Sequence, residues 1–407
     1  MTGPDTQAVA SSGEERSGLD PLSPVRRHSA LRASNQTRPL VAFVTNVYRP
    51  HLGGISSYVS SLAGLTLHGI ETNVLSYPAR LVDLEGSREK VKLFFPFHLL
   101  FVMGALAVLL LHRLRGRKII VHSHSASFCL LVGFVGKTFG MRAVHTFHSP
   151  ISRPSRILRW LVPRLDAVVF VSPALRDLYH ETIEAENARE EIIPGAVTIP
   201  PALEQVRPQA RVNVRQSLGL PPAAAIVLYV GRVVPEKGVH VLTKAISLMQ
   251  EASVAALIVG PPGSRQEDRA YWTDISTSQP LHTGSLHLLG AVPEALLDEL
   301  YMAADVVVIP SLWPEPAPMV ALEALAHSCP VVASETGGIP YLVPDDAGIL
   351  VPPGDPESLS RALLRILGEP GLRERLSAGA ARAARVQHSL ERFETDHLKL
   401  YGSLGPI

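Results

Sequence analysis

Cysteine is scarce in this chain of 407 residues, which has only two, Cys129 and Cys329. Two cysteines cannot form a disulfide framework, and both lie within apolar runs, so we expect buried thiols in a reducing compartment. The N-terminus lacks the apolar segment and the cleavage site of a secretory signal. Residues 1–38 are instead rich in Ser, Pro, Gly, Arg and Glu. That composition is typical of a disordered tail.

Charge is sparse as well. Asp, Glu, Lys and Arg make up 18% of the residues, and the formal net charge is +1. This balance excludes a nucleic-acid binder that works by bulk neutralisation of phosphates. Hydrophobic residues reach 46% although aromatic residues are only 6%. Such a composition is typical of α/β units whose parallel strands are buried on both faces.

One apolar run, 94–111, approaches the length of a membrane span. A span needs about 20 apolar residues, but Pro96 and His98 interrupt this run and a basic segment, 112–118, follows it. We therefore predict a buried crossover helix, with an interfacial helix as the alternative and a true span least favoured. The expected protein is cytoplasmic. It makes at most a peripheral contact with the inner face of the membrane through 94–118, and it binds anionic vesicles little.

Short apolar strands alternate with helical patterns in two series of similar size. The predicted strands are 40–45, 72–75, 118–124, 142–148, 166–172 and 191–193, then 225–231, 254–260, 286–288, 305–310 and 330–334. This alternation predicts parallel sheets, and two series predict two doubly wound domains that face across a cleft. The predicted boundaries are 39–200, a linker with a short helix at 201–222, a second domain at 223–384 and a C-terminal helix at 385–407. Ligands of such sheets bind beyond the carboxyl ends of the strands.

Polar motifs follow several of these strands. Gly53 and Gly54 follow the first strand and open a helix, where glycine lets a ligand approach the backbone. His148 ends a strand of the first half. Three further histidines, His122, His124 and His145, raise the alternative of a metal site. No carboxylate or cysteine accompanies them at a familiar ligand spacing, so we predict no metal.

The second half carries the more specific motifs. In Gly231-Arg232-Val233-Val234-Pro235-Glu236-Lys237-Gly238, two cations flank a tight turn before a helix and could neutralise a diphosphate. The run Pro310-Ser311-Leu312-Trp313-Pro314-Glu315-Pro316-Ala317-Pro318-Met319-Val320-Ala321-Leu322-Glu323 joins a strand to a helix. Its prolines suit the first helical turn, and the amides of Met319 and Val320 would be orphan donors for an anion.

Taken together, these motifs resemble one family. The following motifs occur in order along the chain: the early Gly-Gly, the strand-end His, the G-R-x-x-x-x-K-G turn, the P-S-x-W-x-E-P run with Glu-x7-Glu, and the C-P-V-V-A-S-x-x-G-G-I-P segment at 329–340. That order resembles the retaining nucleotide-sugar glycosyltransferases of family 4, which have the GT-B fold. The resemblance extends from about residue 38 to the C-terminus and is most specific in the second half.

The resemblance implies roles for the motif residues. Arg232 and Lys237 would stabilise the leaving diphosphate beside Gly231, and Glu323 would accept hydrogen bonds from the ribose hydroxyls. Glu315 would lie beside the transferred sugar, and His148 near its reacting face. The loop of Gly53 and Gly54 would close over donor and acceptor. The amides of the segment that contains Ala317, Met319 and Val320 would contact the sugar and the distal phosphate.

Three departures from the family pattern stand out. The family often has Asn-Gly-Val where this chain has Gly195-Ala196-Val197. It has Gly near the position of Ser328 and Cys329, and commonly Glu where Tyr341 stands. The first two concern the hinge and packing, whereas the third could alter donor contacts.

The predicted function is therefore transfer of a sugar from a UDP- or GDP-sugar to a hydroxyl of a small-molecule, lipid or glycan acceptor. Cationic side chains would replace a metal, and no Asp-x-Asp motif is present. Eight helical residues would separate Glu315 from Glu323 by about 12 Å, too far for the carboxylate pair of a retaining hydrolase, at about 5 Å.

Two alternatives remain at this point. The first is a transferase-like protein that binds a nucleotide sugar with little or no catalysis. The second is a dinucleotide-dependent oxidoreductase or epimerase, in which Glu71 would bind the ribose. The G-x-G-x-x-G fingerprint of that class is absent.

Overall fold

A computed structural model describes residues 39–48, 54–65, 70–76, 94–125, 127–151, 154–183, 188–249, 253–277 and 284–405. The predicted tail 1–38 and Gly53 lie outside these described residues. Within them, the chain forms two six-stranded parallel sheets with helices around each. This architecture is the predicted pair of doubly wound, Rossmann-like halves.

The first sheet has the strand order β2-β1-β3-β4-β5-β6. Its strands are β1 (Leu40–Thr45), β2 (Glu71–Ser76), β3 (Ile119–His124), β4 (Arg142–Phe147), β5 (Ala167–Phe170) and β6 (Arg189–Ile192). The helices between them are α1 (Gly54–Ala63), α2 (Phe94–Leu114), α3 (Ser127–Thr138), α4 (Arg156–Leu161) and α5 (Pro173–His180). All residues of β1 and β3 are buried. Burial on both faces explains why the apolar residues of β1 do not alternate with polar ones.

The second sheet has the order β12-β11-β10-β7-β8-β9. Its strands are β7 (Ala225–Val230), β8 (Val254–Val259), β9 (Gly284–Gly290), β10 (Val306–Ile309), β11 (Val331–Ser334) and β12 (Gly348–Val351). Its helices are α7 (Val239–Ser247), α8 (Gln266–Thr277), α9 (Glu294–Ala303), α10 (Met319–Ala326), α11 (Ile339–Leu342), α12 (Pro356–Gly368) and α13 (Pro370–Val386). The central strands β7 and β10 are followed by the two most specific motifs.

Helix α6 (Leu203–Ser217) occupies most of the predicted linker. It is packed rather than free, because Ala210 and Val214 are buried and Arg211 pairs with the buried Asp305. The last helix, α14 (Leu390–Ser403), returns to the first half. The ring of its Phe393 lies 4.8 Å from that of Tyr58 on α1.

The apolar run forms the crossover helix α2, as predicted, but only one of its faces is buried. Val102, Ala105 and Leu109 pack against the first sheet, whereas Leu100 and Leu111 are exposed. Within the part of the chain that the structure describes, none of the helices has the length and apolar character required to cross a bilayer.

Two charged residues, Arg117 and Glu71, form an ion pair with each other and do not suit the roles considered for them in the sequence. Arg117, counted in the basic flank of α2, is 9% exposed and forms an ion pair with Glu71. Glu71 is the first residue of β2, so it lies at the amino edge of the sheet, opposite the edge where ligands bind. This position does not suit the ribose-binding role that Glu71 would have in the oxidoreductase alternative.

Beneath α14 lies a cluster of neutral histidines. His122 Nδ1 is 2.6 Å from Tyr401 Oη, and His122 Nε2 is 2.7 Å from Thr146 Oγ1. His397 of α14 is fully buried and lies 3.2 Å from the Tyr58 hydroxyl. Burial lowers the pKa of His397 to about 3. Burial, together with the nearby His148, does the same for His145.

These shifts predict a stability that falls in acid. Between pH 6.5 and about 3, the unfolded chain binds protons at His145 and His397 that the folded chain does not. The free energy of unfolding should then fall by about 1.4 kcal/mol per pH unit for each histidine, while above about pH 7 it should stay constant.

Guanidinium unfolding at about pH 7.5 and about pH 5 measures this effect. A His397→Gln variant should show a shallower pH dependence than the wild type, because it lacks one of the buried histidines. Equal pH dependence of the variant and the wild type would contradict this role for the buried histidines.

Candidate active site

The turn after β7 brings Lys237 towards the end of β10. Gly238 has φ +71°, and a Cβ there would lie 1.9 Å from the Pro310 carbonyl oxygen. Only glycine therefore permits this approach. The amide of Leu312 donates to the Glu236 carbonyl at 2.9 Å and ties the two loops together.

Glu315 is held at the junction of these loops. It is 4% exposed, and its Oε1 accepts from Lys237 Nζ and from Ser311 Oγ, each at 2.5 Å. A buried carboxylate without partners would be strongly unfavourable, so these two donors stabilise Glu315 in its buried position. The pairing also leaves Lys237 with further N–H donors for a ligand.

The Gly-Gly segment after β11 closes over the same loop. The Gly338 amide donates to the Glu315 carbonyl at 2.6 Å. A Cβ at Gly337 would lie 2.3 Å from the Glu315 carbonyl oxygen, and one at Gly338 would lie 1.9 Å from that of Pro316. This contact is a physical reason for the glycine pair of the Gly-Gly-Ile-Pro motif.

Arg232 lies on the loop between Gly231 and Lys237. Its side chain is exposed, and its carbonyl accepts a hydrogen bond from the Tyr229 hydroxyl at 2.7 Å. Gly231 packs against Gly260, where a Cβ would lie 2.0 Å from the Gly231 carbonyl oxygen. The loop backbone is thus fixed while the guanidinium group remains accessible to an anion.

Helix α10 presents its N-terminus at the site. Pro318 precedes it, so the amides of Met319 and Val320 lie in the first turn, where no acceptor exists within the helix. Such amides are suited to bind an anion. Ala317 lies just before this turn and is half-buried.

Glu323 has a separate set of partners. Its Oε2 accepts from the Tyr301 hydroxyl at 2.8 Å, and the Tyr301 ring stacks on that of His327. Burial raises the pKa of Glu323, while the hydrogen bond from Tyr301 lowers it. The Oε1 atom remains for a ligand hydroxyl.

A cavity of about 650 Å³ lies between the two halves. Glu323, Met319 and Tyr301 line it from the second half, and Ser57 and Ser60 of α1 from the first. Its size is within the range of small-ligand sites. Gly54 lies beside this region, since a Cβ there would be 3.2 Å from Met319 Cγ.

His148 lies in the first half and lines a smaller cavity of about 240 Å³ with Asn46, Ser125 and Tyr179. Its Nε2 is 3.1 Å from His124 Nδ1. Burial and the neighbouring His397 lower the pKa of His148 to about 3. The imidazole is therefore neutral near pH 7 and acts through hydrogen bonds.

The buried histidines have hydrogen-bond partners within the protein. The described residues contain no group of three or more His, Cys, Asp or Glu side chains placed to hold a metal ion. His122 is bonded to Tyr401 and Thr146, and His145 to Ser123. Both cysteines are buried free thiols.

The structure thus divides the predicted site residues into groups. It joins Lys237 to Glu315, places Glu323 with Met319 at the interdomain cavity, and sets His148 in a pocket of the first half.

The expectation of a continuous helix from Glu315 to Glu323 is wrong, because α10 begins at Met319. Only 319–323 is helical, a rise of about 6 Å, and the two acids are distinguished by their partners.

The sequence did not reveal the supporting roles of three residues. Ser311, Tyr301 and His124 bond Glu315, Glu323 and His148, respectively. Ser311 lies within the conspicuous motif and could have been found there. Tyr301 is 22 residues from Glu323, and no sequence pattern links the two.

The departures from the family pattern have separate surroundings. A Cβ at Gly195 would lie 3.0 Å from Met319 Sδ, so the absent side chain leaves room for that methionine. Ser328 has φ +51° and bonds Ser377 through its carbonyl. Tyr341 is 43% exposed, and its side chain is accessible from solvent.

Comparison with solved structures defines the class of fold. Sucrose-phosphate synthase from Thermosynechococcus elongatus has a TM-score of 0.70 at 22% identity, covering 90% of this chain and 99% of that one. HepE of Anabaena in complex with UDP-glucose has a TM-score of 0.67 at 19% identity, covering 89% and 99%. Both structures have the GT-B fold, which is the fold of this chain.

Comparison of sequences gives the family. Residues 52–199 match the family model described as Glycosyltransferase Family 4, and residues 211–383 match that described as Glycosyl transferases group 1. The chain belongs to the family 4 glycosyltransferases, as the motif order predicted.

Curated relatives include two enzymes named D-inositol 3-phosphate glycosyltransferase. That of Streptomyces bingchenggensis is 36% identical over 211 residues, covering 48% of this chain and 43% of the relative. That of Streptosporangium roseum is 31% identical over 296 residues, covering 66% of each. The chain spans about half the length of the curated relatives it matches.

The close approach of Gly338 to the Pro316 carbonyl predicts that adding one methyl group at this position lowers stability and activity. Gly338→Ala would place a Cβ 1.9 Å from the Pro316 carbonyl oxygen and push the Glu315 loop away. We expect a loss of about 1–3 kcal/mol of stability, as for overpacked sites, and a loss of transfer activity. Gly368→Ala is the matched control, since nothing lies within 4 Å of its Cβ. Identical melting temperatures and activities of the two variants would contradict the proposed packing.

Proposed function

We propose that this protein is a retaining glycosyltransferase that moves a sugar from a UDP- or GDP-sugar to an acceptor hydroxyl. The observation that carries the proposal is the pair of Lys237 with the buried Glu315, near the N-terminus of α10 in the sequence. This pair supports the proposal because a cation and orphan amides suit a diphosphate, and the carboxylate suits sugar hydroxyls. The D-inositol 3-phosphate glycosyltransferase name of the relatives adds inositol phosphates to the candidate acceptors.

Departure of the diphosphate requires stabilisation of negative charge. The Arg232 guanidinium, the remaining N–H donors of Lys237 and the amides of Met319 and Val320 provide it. Donors fixed in this way before the reaction contribute the most to such a step. Because these cations meet the diphosphate directly, the proposed reaction needs no divalent metal.

The two glutamates have different tasks in this proposal. Tyr301 occupies Glu323 Oε2 and holds the side chain at the cavity, so Oε1 is directed to the ribose hydroxyls of the nucleotide. Glu315, fixed by Lys237 and Ser311, accepts hydrogen bonds from hydroxyls of the transferred sugar. His148, being neutral, bonds near the reacting face without adding charge.

The proposed transfer retains the configuration of the anomeric carbon, because the acceptor attacks from the same face of the sugar that the diphosphate leaves. The bond between the sugar anomeric carbon and the diphosphate oxygen breaks, and the acceptor oxygen bonds to that carbon on the same face. The acceptor proton passes to the departing phosphate oxygen. A double displacement needs two carboxylates about 5 Å apart on either side of the bond. Glu315 and Glu323 instead belong to separate hydrogen-bonding networks.

A panel of UDP-, GDP- and ADP-sugars in thermal unfolding, with EDTA present, tests the donor and the metal together. A UDP- or GDP-sugar should raise the melting temperature by a few degrees at saturation, and transfer should persist in EDTA. Lys237→Ala should lose the stabilisation.

Three results would count against the proposal. Stabilisation by ADP-sugars alone would exclude the proposed donors. Activity that disappears in EDTA and returns with magnesium or manganese would exclude the metal-free mechanism. Donor binding without release of the diphosphate, across the candidate acceptors, would favour the binding protein with little or no catalysis.

A further inference from the structure

The first half contains a long segment without acidic residues. Between Phe94 and Leu165 the chain has no Asp or Glu, whereas it has ten Lys or Arg residues. The segment includes α2, α3 and α4, which successively connect strands β2 to β5. Because β2 to β5 are visited in one direction along the sheet, right-handed crossovers place these three helices on the same face.

Helix α2 turns an apolar stripe away from the sheet. Leu100, Met103, Leu111 and Leu114 are exposed, from 55% for Leu111 to 83% for Leu114. Their spacing of three, eight and three residues keeps them on one side of the helix. Exposed apolar side chains that are contiguous, unlike scattered ones, mark a surface that contacts another apolar medium.

The stripe continues onto α3 and α4. The ring of Phe128 on α3 stacks on His98 of α2 at 4.4 Å, and Phe134 of α3 lies 5.2 Å from the ring of Trp160 on α4. Trp160 and its neighbour Ile157 are 50% and 68% exposed. Tryptophan is enriched where one end of a side chain is apolar and the other is hydrated.

Cations surround this apolar surface. The hydrogen bonds of Arg113, Arg159 and Arg164 go to the backbone carbonyls of Phe139, Pro154 and Trp160. Among the described residues, none of these three arginines has a carboxylate partner in an ion pair. Their charge is therefore not neutralised by a carboxylate of the described residues.

We propose that the outer face of α2, α3 and α4 docks on an anionic phospholipid bilayer. The apolar stripe would enter the interface, and the arginines would bind the lipid phosphates. A second copy of the chain fits less well, because it would bring two cationic rims together. The proposal extends the contact considered in the sequence beyond 94–118 to α4, and it reverses the expectation of little vesicle binding, which rested on a fully buried α2.

The docked helix would lie on the membrane and would not cross it. Its other face, with Val102, Ala105 and Leu109, is packed against the sheet. Burying that face in lipid would require α2 to separate from the sheet and would leave that part of the sheet exposed. Docking is independent of the transfer reaction, so vesicle binding can be measured without any sugar donor.

The test is co-sedimentation of the full chain with vesicles of phosphatidylcholine, alone or mixed with phosphatidylglycerol. We expect binding to the mixed vesicles only, released by about 0.5 M salt. Leu100→Ser with Leu111→Ser, and separately Arg113→Ser with Arg159→Ser, should each weaken binding about ten-fold or more. Val386→Ser with Arg385→Ser is the matched control, because both residues are exposed on α13 in the other half, and it should bind like the wild type.

Circular dichroism melting shows whether each variant keeps its fold, and sedimentation velocity gives the oligomeric state. Three outcomes would overturn the proposal. They are the absence of wild-type binding to anionic vesicles, equal weakening by the control variant, and a wild-type dimer that the Leu100/Leu111 variant converts to a monomer. The last would assign the surface to a second copy of the chain.

Discussion

The site depends on one constraint, which is that three backbone turns converge on the buried carboxylate of Glu315. Gly238 lets the turn of Lys237 reach the end of β10, and Gly337 with Gly338 lets the turn after β11 close over Glu315. Side chains at these positions would meet carbonyl oxygens at 1.9–2.3 Å. Since Glu315 is buried, the hydrogen bonds from Lys237 and Ser311 compensate for its burial. The position of the Lys237 cation therefore follows from that of the acid.

The two halves of the molecule differ in their electrostatics in a way that suits the proposed chemistry. The second half concentrates fixed charges and orphan amides at the ends of β7 and β10. The first half presents neutral histidines, held by burial and by the returning helix α14. Such a division lets the second half stabilise a diphosphate while the first half contacts an uncharged reacting hydroxyl. The cavity between them is lined from both sides.

Much of the fold could be predicted because buried parallel strands and strand-end motifs are local patterns. The order of the second-half motifs also predicted the family, because each motif is a short local pattern. Long-range pairing could not be predicted in this way. The pair Arg117–Glu71 spans 46 residues and the contact His122–Tyr401 spans 279, and no periodicity encodes either. The two-faced character of α2 was missed because a uniformly apolar run does not show which side packs.

The site was predicted in part for a similar reason. Residue types at the ends of β7 and β10 indicated where charges would lie, because parallel strands carry their ligands at that edge. Sequence spacing gave a wrong geometry for Glu315 and Glu323, since Pro316 and Pro318 keep the chain out of the helix until Met319. The partners that distinguish the acids, Ser311 and Tyr301, come from the tertiary structure.

The claim that Glu315 and Glu323 act separately is tested most directly by steady-state kinetics of two isosteric variants. Glu323→Gln should raise KM for the donor with kcat little changed, because the ribose contact is equal in ground and transition states. Glu315→Gln should mainly lower kcat, because contact with the sugar strengthens as charge develops. An equal rise in donor KM for both variants, with kcat unchanged, would contradict the account.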